Sequence, residues 1–224
     1  MKLLITGFNG FVAGSVIAHA KGKWEIHGIG RSESSLNEPG IFYHTLDLLD
    51  EVKLTRLFNE IRPDAVIHAA AMANIDTCQK NQETAEKVNV SGTQSIAALC
   101  GNIAAKVVVC STDAVFDGTK GNYTEKELPR ALNFYAETKI KAEQIVLSAS
   151  DKNVVARLAL VMGLPVIGQG NSFLADTITK LEKGIRVPFP ENEIRTPIDV
   201  ITLGCALVEL AQNQFGGIIH LSGN

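Results

Sequence analysis

The chain has 224 residues, 46% of them hydrophobic and 20% charged, with a formal net charge of −3. These are ordinary globular values, and the length suits one large domain or one domain with a small appendage. Acids and bases are mixed along the chain, which argues against a nucleic-acid binder with its basic face.

Short apolar runs alternate with amphipathic segments. A strand is expected at 2–6 and a helix at 10–20, then strands at 24–29 and 41–45 and a helix at 50–61. A strand at 65–68, a long helix at 83–100, a strand at 106–110, a helix at 133–148 and a strand at 154–158 follow. This rhythm predicts an α/β fold, a doubly wound parallel sheet of Rossmann type with helices on both faces. After Gly163 the pattern changes. Residues 164–170 are rich in Pro and Gly, 172–183 and 199–212 read as helices, 187–190 as extended chain and 218–221 as a last strand. We therefore expect a nucleotide-binding domain over 1–162, with contributions from 191–202, and a small substrate-binding lobe over 163–224.

The cysteines at 78, 100, 110 and 205 form no Cys-x-x-Cys pair, so neither a zinc site nor a disulfide framework is expected. No apolar run approaches the about 18 residues of a membrane span, and the N-terminal one is too short for a signal peptide. The expectation is a cytoplasmic protein with no metal, no membrane and no nucleic-acid partner.

The first strand runs into Gly7-Phe8-Asn9-Gly10-Phe11-Val12-Ala13, with Gly14 next. Gly7 permits a tight turn, Gly10 a close approach of backbone to a pyrophosphate, and the small Ala13 close packing of helix on sheet. The helix N-terminus then offers free N–H groups to phosphates. Position strengthens the motif, because it follows a strand and opens a helix. The second strand ends without the acid that would bond a ribose 2′-hydroxyl; Arg31 and Ser32 stand there instead. An Arg can grip a 2′-phosphate with a charge-assisted fork, so NADP is favoured over NAD. Asp47, beside Leu48, is placed to accept from an adenine amine. Ala69, Ala70 and Ala71, after His68, leave room for a flat cofactor, whereas His68 itself reads as a core histidine.

Tyr135 and Lys139 lie four residues apart and share one helix face. A neighbouring ammonium is expected to lower the phenol's pKa and suit it to proton transfer at a carbonyl oxygen. Thr112 and Asp113 close the strand upstream, and ligands of open parallel sheets bind beyond the C-terminal strand ends.

These motifs resemble the extended short-chain dehydrogenase/reductases, and within them the dTDP-4-dehydrorhamnose reductase group. The resemblance runs nearly end to end. It rests on Thr6-Gly7-x-x-Gly10, His68-Ala69-Ala70-Ala71, Val88-Asn89-Val90-x-Gly92-Thr93, Tyr135-x-x-x-Lys139, Arg157 followed by Gly163, and Arg195-Thr196-Pro197. Its most specific string is Ser111-Thr112-Asp113-Ala114-Val115-Phe116-Asp117-Gly118. It implies an NADP(H)-dependent reductase of a nucleotide-activated 4-keto sugar. Thr112 would bond the substrate carbonyl, and Tyr135 would donate the proton. Lys139 would hold the nicotinamide ribose, Asn89 would position the Lys, and Asp113 and Arg195 would meet the substrate. A homodimer through the helices at 83–100 and 133–148 is a further implication. Ala13 replaces the third glycine, and Ala114 stands where the family usually has Tyr. The family normally continues past the strand at 218–221 into further helical structure, so the substrate lobe reads as truncated. Two other readings stay open: a sugar-nucleotide epimerase or dehydratase, which Ala114 after Asp113 weakens by denying an acid pair, and an NAD(P)-binding regulatory subunit of the same fold.

Overall fold

The structure is a computed structural model that describes residues 1–34, 36, 38–167 and 172–223. In chain order it contains β1 (Lys2–Thr6), α1 (Phe11–Ala20), β2 (Glu25–Gly30), β3 (Ile41–Thr45), α2 (Glu51–Ile61) and β4 (Ala65–His68). Then come α3 (Ile75–Lys80), α4 (Gln82–Glu86), a π-turn (Lys87–Ser91), α5 (Gly92–Ile103) and β5 (Lys106–Thr112). A 3₁₀ turn (Asp113–Val115), α6 (Phe134–Ala149), β6 (Val154–Leu158), β7 (Val161–Met162), α7 (Phe173–Glu182), β8 (Ile198–Asp199), α8 (Val200–Gln212) and β9 (Gly217–Leu221) complete it.

Seven strands form one parallel sheet in the order β3-β2-β1-β4-β5-β6-β9. The inner strands are apolar almost throughout, as strands covered on both faces must be: every residue of β4 and β6 is buried. One core, built on Leu3, Ile5, Ile67 and Val108, is covered by α1 and α8. The other, built on Leu4, Val66, Val107 and Val155, is covered by α2, α5 and α6. Strand order reverses between β1 and β4, which opens a crevice at their C-terminal ends.

Several helix boundaries follow from capping. Asp50, Asn133, Ser172 and Asp199 each accept a hydrogen bond from the first turn of the helix they precede. Helix α3 and the short β7 and β8 are not expected from sequence, and three other features differ from the expectation. The helix expected at 83–100 is two helices joined by the π-turn, because one extra residue is accommodated around Asn89. Residues 187–190 carry no strand: Pro188 and Pro190 have no N–H to give a ladder. The helix at 199–212 and the last strand, assigned from sequence to the second lobe, join the main sheet layer. There β9 pairs with β6, and α8 packs on α1 through Leu203 and Leu207. Gly204 makes that crossing close, since a Cβ there would lie 2.2 Å from Ser15 Oγ. Apart from the main sheet stand the two-stranded parallel pair of β7 and β8, helix α7, none of whose residues is buried, and the irregular chain leading to Arg195. The Pro/Gly-rich stretch predicted at 164–170 is described only through residue 167; the rest lies outside the described residues.

Candidate functional site

The crevice at the strand-order reversal is a cleft of about 560 Å³. Its floor is the turn after β1. Gly7 has φ +70°, and a Cβ on it would press 2.9 Å from the Ala70 backbone, so only glycine fits between the ends of β1 and β4. Gly10, whose N–H bonds Gly7 O at 2.8 Å, caps α1 without any side-chain acceptor. The first N–H groups of α1 are therefore left without a side-chain partner, the arrangement that receives an anion.

The sequence-predicted residues Gly7, Asn9, Gly10, Arg31, Ser32, Asp47, Leu48, Ala69, Ala70 and Ala71 all line this one cleft. Arg31 and Ser32 are exposed at its rim, and Arg31 forms no ion pair among the described residues. The Asn9 amide donates to Ser32 O and Oγ at 3.2 and 3.3 Å, and Tyr43 OH also bonds Ser32 O, so this rim is held from two strands. Asp47 is exposed between buried Leu46 and Leu48, with Oδ1 accepting from Leu49 N at 3.0 Å.

Three predicted cofactor residues are placed differently. Phe8 and Phe11 are buried in the core, Phe8 against Tyr43 at 5.1 Å and over Gly28, and Val12 packs against the same core. Apolar side chains next to a glycine turn are drawn inward, so these residues can offer the cleft backbone alone. Sequence reasoning missed Ile29, Gly30, Leu46, Leu49 and Val88, which also line it. Leu46 was legible as the partner of Leu48 on either side of Asp47; Val88 was hidden by the π-turn.

Behind the cleft runs a continuous hydrogen-bond chain. Ala70 N donates to Thr6 Oγ1 at 3.2 Å, and Thr6 Oγ1 lies 2.7 Å from His68 Nδ1. His68 Nε2 lies 3.0 Å from Thr93 Oγ1, which itself donates to Asn89 O at 2.7 Å. Thr93 has spent its proton, so His68 carries its hydrogen on Nε2 and accepts from Thr6 on Nδ1. Burial, and secondarily the Lys139 charge, push His68 down to about 3, and it serves as a neutral spacer, as expected from sequence.

The Asn89 side chain bonds three groups directly, none of them on Lys139. It accepts from Met72 N at 2.7 Å and donates to Met72 O at 3.1 Å and to Thr138 Oγ1 at 3.0 Å. Thr138 in turn donates to Tyr135 O at 2.7 Å. Asn89 is buried and joins the Ala69–Met72 wall to the helix of Tyr135 rather than lining the cleft.

Tyr135 opens α6, capped by Asn133, whose Oδ1 accepts from Ala136 N at 2.9 Å. Lys139 is buried one turn on and donates to Cys110 O at 2.7 Å. The lowered phenol pKa expected from sequence is corrected. Burial pushes Tyr135 up to about 12, and the side chain of Thr112 beside it pulls only partly the other way. Lys139 gives one of its three donors to a carbonyl, and burial lowers its own pKa. Thr112 Oγ1 accepts from Ala114 N at 3.2 Å. Asp113 and Arg195, both predicted to meet substrate, meet each other: Arg195 Nη1 lies 3.1 Å from Asp113 Oδ2, and its Nε lies 2.6 Å from Glu193.

The seven-stranded parallel sheet with a glycine turn at its switch point, together with the family match below, makes this an NAD(P)-dependent oxidoreductase of the extended short-chain dehydrogenase/reductase type. The model of the RmlD substrate binding domain matches residues 1–224. The chain belongs to that family. It is 28% identical over its full length to 67% of the methionine adenosyltransferase 2 subunit beta of Xenopus laevis. It superposes with a TM-score of 0.85 on a hypothetical dTDP-4-dehydrorhamnose reductase from Sulfolobus tokodaii, at 30% identity over 100% of this chain and 77% of that one. A dTDP-4-dehydrorhamnose reductase from Bacillus anthracis in complex with NADP superposes equally well, at 0.85, with 25% identity over 100% of this chain and 76% of that one. Among the described residues, no helix is long and apolar enough to cross a membrane.

Proposed function

We propose that the chain is an NADP(H)-dependent reductase of a nucleotide-activated 4-keto sugar, with Thr112, Tyr135 and Lys139 as the catalytic group. The observation that carries this reading is position: Thr112 ends β5, and Tyr135 and Lys139 open the next helix, at the strand ends where such folds bind ligands. The solved NADP complex of a related reductase supports the cofactor.

The residues of the cleft fit a dinucleotide. Gly7, Gly10 and the free N–H groups of α1 would hold the pyrophosphate, Arg31 and Ser32 the 2′-phosphate, and Leu46, Asp47 and Leu48 the adenine. Ala69, Ala70 and Ala71 leave a flat wall, and Lys139 would donate to the nicotinamide ribose. When bound, reduced NADP supplies hydride. The chain's own part is proton delivery. Thr112 and Tyr135 bond the carbonyl oxygen, and the Tyr135 proton passes to that oxygen as it gains charge. A phenol held up to about 12 stays protonated at neutral pH, the form that reduction of a ketone requires. The Lys139 ammonium then stabilises the phenolate left behind. Arg195, half-exposed at the Asp113 ion pair, would exchange that carboxylate for a substrate phosphate, with Asp113 released to the sugar.

The test is NADPH consumption with a panel of 4-keto nucleotide sugars, followed by absorbance. Tyr135→Phe should lower kcat by about two orders of magnitude or more with NADPH affinity retained. Undiminished turnover in Tyr135→Phe would remove Tyr135 from the mechanism. One observation favours a second reading, an NAD(P)-binding subunit without turnover: the similarity to a protein named as a subunit of methionine adenosyltransferase. NADPH binding with no turnover on any keto sugar would support that reading instead.

A further inference from the structure

Behind the Tyr135 and Lys139 pair lies a buried charge cluster that the proposed reaction does not use. Glu143 sits one turn beyond Lys139 on α6, and Glu143 and Arg157 of β6 are each 3% exposed. Arg157 grips the carboxylate with two nitrogens: Nε lies 3.0 Å from Oε1, and Nη2 lies 2.7 Å from Oε2. Ser111 Oγ donates to Glu143 Oε1 at 2.5 Å. The Arg157 guanidinium also lies 5.0 Å over the Phe116 ring, and its Nη1 is 3.5 Å from His220 Nε2.

The register of these contacts is informative. Lys139 bonds Cys110 O and Glu143 bonds Ser111, so two side chains one helical turn apart seize two consecutive residues of β5. The next residue of that strand is Thr112, and one turn before Lys139 is Tyr135. The clamp therefore sets how the Tyr135 end of α6 stands against Thr112. The charges are arranged to the same end. Facing the Lys139 ammonium are Glu143 from its own helix, Cys110 from β5 and His68 from β4, and Arg157 lies beyond Glu143. Glu143 is the carboxylate among them. Burial drives Lys139 toward its neutral form, and Cys110 and Glu143 oppose this. Stability alone is a weak account of the pair, since a buried ion pair is often matched or bettered by apolar residues of similar volume.

We propose that Glu143 is a positioning residue for this site: clamped by Arg157 and Ser111, it fixes α6 on the end of β5 and supplies the counter-charge that keeps Lys139 an ammonium. The inference rests on the reading of Tyr135 and Lys139 as the catalytic pair. The test is a pH titration of the Lys139 13Cε resonance in labelled full-length protein, assigned by its loss in Lys139→Met. In Glu143→Gln the Lys139 midpoint should fall by about one pH unit or more, and Glu143→Asp should keep it near the wild-type value. Where Glu143→Gln does not fold, the double variant Glu143→Gln/Arg157→Met removes both buried charges and should show a smaller fall in the same direction, because the more distant Arg157 cation goes with the nearer carboxylate. A wild-type midpoint in whichever of these folds overturns the proposal, because a purely structural clamp would lower stability without moving it. NADPH fluorescence in the same samples separates the two claims. A wild type that does not bind NADPH refutes the reading of the site. Normal NADPH binding with an unmoved Lys139 midpoint refutes the role of Glu143 alone.

Discussion

Arg31 stands at the end of β2 where an acid would repel a 2′-phosphate, and no carboxylate among the described residues occupies its guanidinium. A charge-assisted contact to phosphate is worth about 1.5–3 kcal/mol. Arg31→Ala should therefore raise the Kd for NADPH about 10- to 100-fold and leave that for NADH nearly unchanged, as read by fluorescence titration. Equal weakening of both would mean that Arg31 does not read the phosphate. His68 gives a prediction on stability. Its ordinary value is 6.5, and in the fold burial holds it at about 3. Between those values the unfolded chain binds one more proton than the folded one. The stabilisation is thus complete above about pH 6.5 and is lost at roughly 1.4 kcal/mol per unit as pH falls toward 3. Urea unfolding at pH 7, 5.5 and 4 should show a steeper loss in the wild type than in His68→Gln; parallel curves would contradict this.

At the scale of elements, the π-turn at Lys87–Ser91 brings Asn89 inward between the Ala69–Met72 wall and α6. Asn89→Ala would leave Met72 N and O and Thr138 Oγ1 without that partner. It should cost about 1–3 kcal/mol in unfolding free energy, and weaken NADPH binding because the wall is loosened. A variant with native stability and native NADPH affinity would show that the clamp is idle. This turn also marks a limit of what sequence reveals. Strands such as 154–158 and the glycine turn at Gly7 were legible because burial on both faces and positive φ leave compositional marks. A π-insertion leaves none: the apolar period of the surrounding helix runs on through it. Helix α3 was equally hidden, having a single buried residue, Cys78, and so no apolar stripe to detect. The site was legible as a list of residues that line one cleft. Side-chain direction was not, since Phe8 and Phe11 turn inward under core packing, and neither was charge. The spacing of Tyr135 and Lys139 suggested mutual activation, whereas the fold commits Lys139 to Cys110 O and desolvates the phenol.

For the molecule as a whole, one parallel sheet places the cleft at the reversal between β1 and β4 and the Thr112–Tyr135 pair at the adjoining end of β5. The hydrogen-bond chain from Ala70 through Thr6, His68, Thr93 and Asn89 to Thr138 and Tyr135 ties the two together. In the proposed reaction, hydride from NADPH adds to the carbonyl carbon while the Tyr135 proton passes to its oxygen. The most direct measurement uses NADPH deuterated at both nicotinamide C4 positions, a 4-keto nucleotide sugar and mass spectrometry of the sugar product. The proposed reaction leaves one deuterium at the reduced carbon with the wild type and almost none in the same time with Tyr135→Phe. Deuterated NADPH that binds to the wild type yet leaves no deuterium in any keto sugar of the panel would contradict it.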